Sequence, residues 1–435
     1  MISDKIATAF KQHKWLYYAV SALCGLLLTV ATFSTAPVVQ LISIFAIIPV
    51  IAIMLSDIEE KINSYLFSLA FFGAWILPTT YWYYSFMNPL LAVAASVGSV
   101  FLFANLFRIF AFRKRLSDYL VALLFSAAWA LFTYLRLRLP VTKDCWIPHL
   151  GYAVWRNPAI LQLSVLGGEA GIDFFVLLFS SACAVLLIRK KQLVTLFGCG
   201  SALAFILIFN RLISHMPVVD LPIIIAAQSS TPQKNLDATP EVIQKIEKQT
   251  KSALNSLGDT NGREVYVVWP ENRIPPANQQ ELSLFARDND INLIYHSYEP
   301  IEGKDAPYKI IVWLDSSGEI VLTNSKEHIA PGEQGTPRKS ANVKDGITAY
   351  ICYDVHYTDI VPRMRDANLV FVALNDEEFG DLQKTFHLAD MALRSVQARV
   401  WIATASKDGP SAIISLNGYV VQVIPYHLDG VIIFQ

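Results

Sequence analysis

The sequence predicts two units in one chain: a polytopic α-helical membrane bundle of about seven spans, followed by an α/β domain with layered sheets. Of its 435 residues 54% are hydrophobic and 16% are charged, and the mean hydropathy is +0.40. This is too apolar for an ordinary soluble protein of this length. The long apolar runs end near residue 214, where prolines interrupt the chain. We therefore predict the bundle over 1–214 and the α/β domain over 215–435.

The bundle is predicted from seven apolar segments, because a hydrocarbon core requires about 20 helical residues to cross. We place the spans at 15–35, 37–55, 64–85, 89–112, 119–138, 172–188 and 193–213. A cleaved signal peptide is the alternative for residues 1–35, but its apolar core would exceed the usual length of about 7–15 residues. We also expect the spans to lack the intramembrane charges that are typical of transporters.

The orientation is predicted from three basic clusters that fall on one side of a seven-span bundle. They are Lys5, Lys11 and Lys14, then Arg113 to Arg115, then Arg189 to Lys191. The positive-inside rule makes that side cytoplasmic and places everything after residue 214 across the membrane. The long connection 139–171 would share the far side, either as an interfacial re-entrant segment or as a wall that faces a substrate.

The second unit is predicted as sheets covered by helices, because short Val- and Ile-rich runs alternate with amphipathic segments. Strands are expected at 222–228, 264–269, 291–296, 308–314, 347–352, 368–374, 400–405 and 411–423, and helices at 238–256, 278–288, 357–366 and 384–399. No dinucleotide or P-loop fingerprint is present. The net charge of −1 excludes a strong positive field over the whole protein that would hold nucleic acid. We expect no cofactor.

Reactive side chains stand out at three strand ends, and α/β enzymes place catalytic groups at such ends and in the loops after them. Glu271 closes "VYVVWPEN", Lys326 and Glu333 lie in "VLTNSKEHIAPGE", and Cys352 closes "TAYICYD". Singly, a Glu or Lys is most often a solvated surface group and a strand Cys a core residue. Together they favour a catalytic site. Because a polar turn follows Cys352, we expect backbone N–H groups near its sulfur that favour the thiolate.

The cysteine and histidine pattern favours a free thiol and no metal. Only Cys145 and Cys352 lie outside the predicted spans, on the far and oxidising side. A disulfide between them is the alternative, but they occupy different units without a paired spacing. His328, His356 and His387 are scattered, so no metal site is predicted, and His328 and His387 are expected to be local hydrogen-bonding residues.

These motifs resemble the nitrilase (carbon-nitrogen hydrolase) superfamily: "WPEN" is similar to its Glu motif, "KEHIAPGE" to its Lys motif with a second Glu, and "ICYD" to its Cys motif. The resemblance implies an αββα sandwich. Attached to a polytopic bundle, the domain resembles the apolipoprotein N-acyltransferases, its membrane-anchored members. "HLGYAVWRNPAILQLSVLGGEAGIDFF" is similar to the long periplasmic loop of that family and the span after it.

Four departures accompany the resemblance, one of which is that no tryptophan follows "TPQK". Asp354 stands where the family usually has Glu, and the Lys motif lacks a Phe, so Lys326 and Glu333 are one residue closer than in K-x-H-L-V-P-F-G-E. The sequence given ends at "GVIIFQ", before the eighth span that members of the family carry.

The resemblance implies a ping-pong acyl transfer by a Glu271, Lys326 and Cys352 triad. Glu271 would be the general base, Cys352 the nucleophile that takes an acyl chain from a phospholipid, and Lys326 the cation that stabilises the oxyanion. Glu333 would orient Lys326, and Tyr353 and Asp354 would shape the pocket.

The implied acceptor is the N-terminal amine of a diacylglyceryl-cysteine lipoprotein, in the maturation of lipoproteins at the bacterial inner membrane. The catalytic domain would lie on the periplasmic side of a multi-pass monomer, with no nucleic-acid partner. Two alternatives stay open. One is a membrane-anchored nitrilase-type amidase or acyltransferase with another acceptor, as in conjugation-associated nitrilase-domain proteins. The other is a non-catalytic transport or scaffold protein.

Overall fold

The chain divides into two compact units between Ile213 and Ser214. This computed structural model describes residues 13–56, 62–215, 221–231, 237–340 and 342–435. Lys5 and Lys11 of the first basic cluster lie outside these ranges, as do residues 216–220 at the predicted boundary. Each unit has its own buried core.

The first unit is helical at every segment predicted to span the membrane. Its long helices are α1 (Trp15–Phe33), α2 (Ile42–Met54, after a turn at Pro37–Gln40), α3 (Ser64–Thr79), α4 (Pro89–Ala104), α5 (Asp118–Arg136), α6 (Glu169–Ile188) and α7 (Gln192–Ser214). Two 3-10 segments, Tyr81–Ser85 and Asn105–Lys114, follow α3 and α4. Counting Pro37–Met54 and Pro89–Lys114 as units, 6 helices in the described residues are long and apolar enough to cross a membrane. The third predicted span is shorter than expected, because α3 contains only 16 residues.

Charged side chains are buried in this unit, so the expectation of spans without such charges was wrong. Arg136 at the end of α5 and Asp173 in the first turns of α6 are both buried, together with Glu169. Thr133 Oγ1 donates to Asp173 Oδ2 at 2.6 Å, and Leu150 N donates to Asp173 Oδ1 at 3.0 Å. A carboxylate with these donors can be buried at low cost, because its lone pairs are occupied.

The connection between α5 and α6 is folded into the first unit. It forms short helical segments at Thr142–Asp144, Leu150–Val154, Pro158–Leu161 and Gln162–Leu166. Every residue of Leu150–Val154 is buried. Asn157 Nδ2 donates to the Pro37 carbonyl at 3.1 Å, which ties the connection to the start of the second span. The segment is therefore a packed part of the bundle.

The second unit contains two sheets. The first has the order β11-β1-β2-β3-β4-β5, and the second has the order β10-β9-β8-β7-β6. The strands are β1 (Ile223–Gln228), β2 (Val265–Val268), β3 (Asn292–Glu299), β4 (Tyr308–Leu314), β5 (Ile320–Ser325), β6 (Ile347–Ile351), β7 (Leu369–Asn375), β8 (Trp401–Lys407), β9 (Ser411–Ile414), β10 (Val420–Ile424) and β11 (Gly430–Phe434). Strands β1 to β3 run parallel, and so do β6 to β8.

Helices cover the outer faces, and the two sheets pack on each other through apolar side chains. Helices α8 (Pro240–Ser256) and α9 (Gln279–Asp288) pack on the first sheet, where Ile246 and Leu282 join one core with Ile225. The third helix, α10 (Asp381–Ala398), is buried along almost its whole length. Between the sheets, the rings of Tyr266 and Phe371 stack at 5.7 Å. The predicted layered α/β architecture with two sheets is confirmed.

Two predicted elements were wrong in detail. The strand expected over 411–423 is two antiparallel strands, β9 and β10, because Gly418 takes a φ of +79° in the turn between them. The helix expected over 357–366 is broken into Thr358–Ile360 and Val361–Met364. Pro362 has no N–H to continue a helix through its position. Strands β5 and β11 were not among the predicted strands.

Candidate active site

Cys352 lies at the turn that follows β6, with a φ of +44°. Strand β6 is fully buried and ends at Ile351, and a 3-10 turn spans Cys352–His356. A left-handed backbone at a residue with a side chain is uncommon and strained, and such positions cluster at functional sites. The Cys352 thiol points toward the Asn375 carbonyl at the end of the neighbouring strand β7, at 3.8 Å.

Glu271 follows β2 and joins the two sheets at this edge. Its backbone N–H donates to the Leu374 carbonyl of β7 at 3.0 Å. Its buried carboxylate lies close enough to the Cys352 thiol for each group to influence the pKa of the other. Because the carboxyl ends of β2, β6 and β7 meet here, a carboxylate and a thiol from different sheets face each other.

Lys326 and Glu333 belong to the loop after β5. The Lys326 ammonium lies 3.3 Å from Glu271 Oε1 and 2.7 Å from Glu333 Oε1. The other oxygen of Glu333 accepts a hydrogen bond from Ala330 N at 2.8 Å, which fixes the carboxylate within its own loop. The four polar groups predicted to act together, on Glu271, Lys326, Glu333 and Cys352, are thus brought to one place.

Lys309 is a member of this cluster that sequence reasoning missed. It lies at the start of β4, and its Nζ is 3.2 Å from Glu271 Oε1 and also pairs with Glu333 Oε1. The signal that could have found it is the antiparallel β4–β5 pairing, in which the Lys309 carbonyl accepts from Lys326 N at 2.9 Å. Adjacent strands put the two lysines side by side.

The electrostatics of the cluster favour ion pairs. Burial by itself raises the pKa of Glu271, but the ammonium groups of Lys326 and Lys309 outweigh it and hold this pKa below its usual value. Burial lowers the pKa of Lys326, but Glu271 and Glu333 outweigh it and raise this pKa. Burial lowers the pKa of His296, whose Nε2 is 3.9 Å from Glu271 Oε1, to about 3. At neutral pH both carboxylates and Lys326 are charged and His296 is neutral.

The Cys352 thiol differs from the expectation of a thiolate favoured by backbone N–H groups. Burial and the nearby Glu271 carboxylate raise the pKa of Cys352, and Lys326 offsets this only in part. Within the described residues its sulfur points toward a backbone carbonyl, that of Asn375, which cannot stabilise a thiolate. Cys352 is therefore a thiol at rest, and a base would have to remove its proton before the sulfur could act as a nucleophile.

Tyr353 and Asp354 stabilise the turn after β6 by a ring contact and by hydrogen bonds to the backbone. The Tyr353 ring is buried and stacks on His356, with ring centroids 5.6 Å apart. Asp354 Oδ1 accepts from Glu327 N at 3.0 Å and His328 N at 2.8 Å, and its Oδ2 accepts from Ile351 N at 3.3 Å. Asp354 therefore ties the lysine loop to the end of β6, and its carboxylate is fully buried.

His387, expected to be a local hydrogen-bonding residue, contacts the backbone of the nucleophile. Its Nε2 donates to the Cys352 carbonyl at 3.0 Å, and its Nδ1 lies 2.8 Å from Asp376 Oδ1. The ligand atoms of Cys352, Asp376 and His387 lie within 4.8 Å of one another, a spacing that could hold a metal ion. Because both ring nitrogens are already engaged, we interpret the trio as a hydrogen-bonded support.

The five cysteines, all within the described residues, are free thiols. The alternative of a disulfide between Cys145 and Cys352 is not realised in this structure. Cys352 is therefore available as a nucleophile.

Comparison with known proteins identifies relatives of this chain. Residues 24–182 match the model of the apolipoprotein N-acyltransferase N-terminal domain. The apolipoprotein N-acyltransferase of Allorhizobium ampelinum is 24% identical in an alignment that covers 65% of this chain and 61% of that protein. The enzyme of the same name from Rhizobium meliloti is 28% identical in an alignment that covers 38% of this chain and 39% of that protein. The chain thus spans less than two thirds of the length of these relatives.

Solved structures similar to this chain cover its α/β unit. An amidase from Nesterenkonia sp. matches 50% of this chain and 91% of its own, with a TM-score of 0.42 and 18% identity. Saccharomyces cerevisiae Nit3, a member of branch 10 of the nitrilase superfamily, matches 49% of this chain and 89% of its own, with a TM-score of 0.43 and 16% identity.

The resemblance to apolipoprotein N-acyltransferases that the motifs predicted is confirmed by the matched N-terminal domain and by the relatives of that name. Together with the six apolar helices, it makes this chain a membrane protein.

Proposed function

We propose that this protein is an acyltransferase that carries an acyl chain as a thioester on Cys352. The donor is a phospholipid, and the acceptor is the N-terminal amine of a diacylglyceryl-cysteine lipoprotein. One observation supports this above all: Glu271 faces the Cys352 thiol while Lys326 lies 3.3 Å from the same carboxylate. A nucleophile, a base and a fixed cation are what acyl transfer requires.

In the first half-reaction, Glu271 takes the proton of the Cys352 thiol as the sulfur attacks the ester carbonyl. The oxyanion that forms faces the Lys326 ammonium, and donors of this kind contribute roughly 3–4 kcal/mol to a transition state. When the carbon–oxygen bond breaks, Glu271 returns the proton to the leaving alcohol of the lysophospholipid. The enzyme keeps the acyl group as a thioester.

In the second half-reaction, the amine of the lipoprotein attacks the thioester carbonyl. Glu271 accepts a proton from the amine, an amide bond forms, and the carbon–sulfur bond breaks. The sulfur leaves as a thiolate next to Lys326 and regains its proton from Glu271. Thiol, carboxylate and ammonium supply every role in this scheme, so we propose that it uses no cofactor or metal.

The membrane unit supplies access to the lipid donor. Each buried CH₂ of an acyl chain favours an apolar phase by about 0.8 kcal/mol, so the donor is best met where it resides. We propose that the protein is a multi-pass monomer of the bacterial inner membrane with its α/β unit on the periplasmic side, as the basic residues 113–115 and 189–191 indicate.

The test incubates the purified full chain with phospholipid and a diacylated lipopeptide, and mass spectrometry follows both the enzyme and the peptide. We expect an acyl adduct on Cys352 and one added acyl chain on the lipopeptide. Cys352→Ser should abolish both. Cys145→Ser is the matched control, because it removes a thiol outside the cluster, and it should behave as wild type. Full transfer by Cys352→Ser would refute the proposal.

A second candidate is a nitrilase-type acyltransferase or amidase with a different acceptor. Asp354 favours it, because this residue of the turn after Cys352 is one methylene shorter than the Glu that the resembled family usually has there. The same experiment separates the two. A thioester on Cys352 that is never passed to the lipopeptide supports the second candidate.

A further inference from the structure

The candidate site contains two ammonium groups rather than one. Lys309 and Lys326 each contact Oε1 of Glu271 and Oε1 of Glu333, so the four side chains form a closed ring of alternating charge. Lys326 is 1% exposed and Lys309 is 14% exposed. No feature of the sequence motifs required the second cation.

The ring balances the buried carboxylate of Glu271 and the partly buried carboxylate of Glu333 with two cations. Two carboxylates close together in a site of low polarity cannot both ionise unless positive charge compensates them. Lys326 alone would leave one net negative charge among buried side chains, and a proton would be retained to remove it. His296 cannot compensate, since burial keeps it neutral at neutral pH.

We propose that Lys309 is a positioning residue that keeps Glu271 ionised while Glu333 is also charged. Glu333 can then stay ionised and hold Lys326 in place, while Glu271 also stays ionised and can act as a base. This inference deepens the proposed function and rests on its assignment of Glu271 as the general base.

The charged and titratable groups around the reacting pair support this assignment. Glu271 is faced by Lys326, Lys309, His296 and the Cys352 thiol, with Glu333 beyond the lysines. Cys352 is faced by Glu271, Lys326, Asp376 and Glu333, and His387 contacts its carbonyl. Of these groups, Lys326 and Lys309 are the cations in contact with the Glu271 carboxylate.

The consequence is a defined effect of pH. Removing the Lys309 ammonium withdraws a positive charge from Glu271 and raises its pKa, so the ionised base is lost at a higher pH as the solution is acidified. A single opposite charge at this range shifts a pKa by about 1–3 units.

The test measures alkylation of Cys352 by iodoacetamide as a function of pH, with mass spectrometry as readout, on the full chain in detergent. This reaction needs neither acyl donor nor acceptor. For Lys309→Met we expect the fall of the alkylation rate at low pH to begin about one pH unit or more higher than in wild type. Within this falling part of the profile, alkylation should be about tenfold slower than in wild type. Lys309→Arg keeps the charge and should retain the wild-type midpoint.

A double variant tests the charge balance itself. Lys309→Met with Glu333→Gln leaves one carboxylate and one ammonium, so the midpoint should return toward that of wild type. Lys245→Met is the matched control, because Lys245 also pairs with a carboxylate, Asp429 at 2.8 Å, but belongs to α8, away from the ring. It should leave the midpoint unchanged.

The outcomes separate this inference from the proposed function. An unchanged midpoint in Lys309→Met, with thermal unfolding like that of wild type, overturns the inference even if acyl transfer is observed. A shifted midpoint that the double variant does not reverse also overturns it, because the effect then does not arise from the second carboxylate. A shift that the double variant reverses sustains it, even if no acyl group is transferred.

Discussion

Cys352 has a backbone conformation that residues with a side chain rarely adopt, and its neighbours hold it there. A φ of +44° costs about 1–3 kcal/mol and persists only where the surroundings enforce it. Asp354 binds Ile351 N before the turn, and His387 binds the Cys352 carbonyl within it. The strain presents the thiol to Glu271 at the edge of the sheet.

Asp354 carries the first prediction at this scale. Its carboxylate is fully buried and accepts three backbone hydrogen bonds. Asp354→Asn puts an amide donor against backbone donors, which should lower the free energy of unfolding by about 1–3 kcal/mol. Asp354→Glu should also destabilise, because an added methylene in a packed site costs about 1–3 kcal/mol.

Thermal unfolding in detergent measures both variants. Asp359→Asn is the control, since its side chain is 51% exposed, and it should change the midpoint little. If Asp354→Glu is as stable as wild type, the prediction is wrong and the space around residue 354 can accept one more methylene group.

At the scale of elements, helix α10 supports the nucleophile through a histidine. His387 faces an acceptor on each side, the Cys352 carbonyl and the Asp376 carboxylate, so both ring nitrogens carry hydrogens and the ring is cationic. Burial lowers the pKa of His387, but Asp376 outweighs it and raises this pKa. The helix thereby holds the turn after β6 by a contact separate from that of Asp354.

The second prediction concerns this support. His387→Gln should lower kcat by about 10²-fold with KM little changed, because a small displacement of the nucleophile affects the reaction and not the binding of lipid. Combining Asp376→Asn with His387→Gln should lower kcat no further than either substitution alone, because both residues act through the same contact with Cys352. Steady-state transfer to the lipopeptide measures this.

The control for this prediction is His427→Gln. His427 also lies between two aspartates, at 3.0 Å from Asp381 and from Asp408, but it is 54% exposed. Its kcat should match that of wild type. A rise in KM with unchanged kcat in His387→Gln would argue that the histidine shapes the binding of substrate instead.

At the scale of the whole molecule, each unit has a core suited to its surroundings. The helices of the first unit expose large apolar side chains such as Leu193 and Phe197, which lipid can cover. The second unit buries apolar residues between and outside its sheets. The acyltransferase proposed above, which uses a lipid donor, would need both surroundings.

The third prediction tests the orientation of the membrane unit. In a Cys145→Ser background, a cysteine at exposed Glu302 of the second unit should react with an impermeant maleimide in intact spheroplasts. A cysteine at exposed Gln192, next to the basic residues 189–191, should react only after permeabilisation. The reverse pattern would place the α/β unit in the cytoplasm and contradict the proposed lipoprotein acceptor.

Patterns along the chain determined the type of each unit. A membrane span follows from about 20 apolar residues and a strand from short Val- and Ile-rich runs, and both are local properties. The helices of the first unit and most strands of the second were therefore predictable, as was the position of Glu271 and Cys352 at the ends of β2 and β6. The prediction of a single strand over 411–423 was wrong because apolar residues lie on both sides of Gly418, and they resemble one continuous strand although the chain turns at this glycine.

What the tertiary structure decided is contact between distant residues. Lys309 joins the site only because β4 and β5 pair in one register, and His387 reaches Cys352 only because α10 packs against the turn that follows β6. The role of Asp354 as a tie between two loops likewise depends on the meeting of the sheets. Local sequence patterns specify which elements form. The order and register of the strands set which charges lie within hydrogen-bonding distance of one another. Those distances in turn determine the pKa values of the groups at the site.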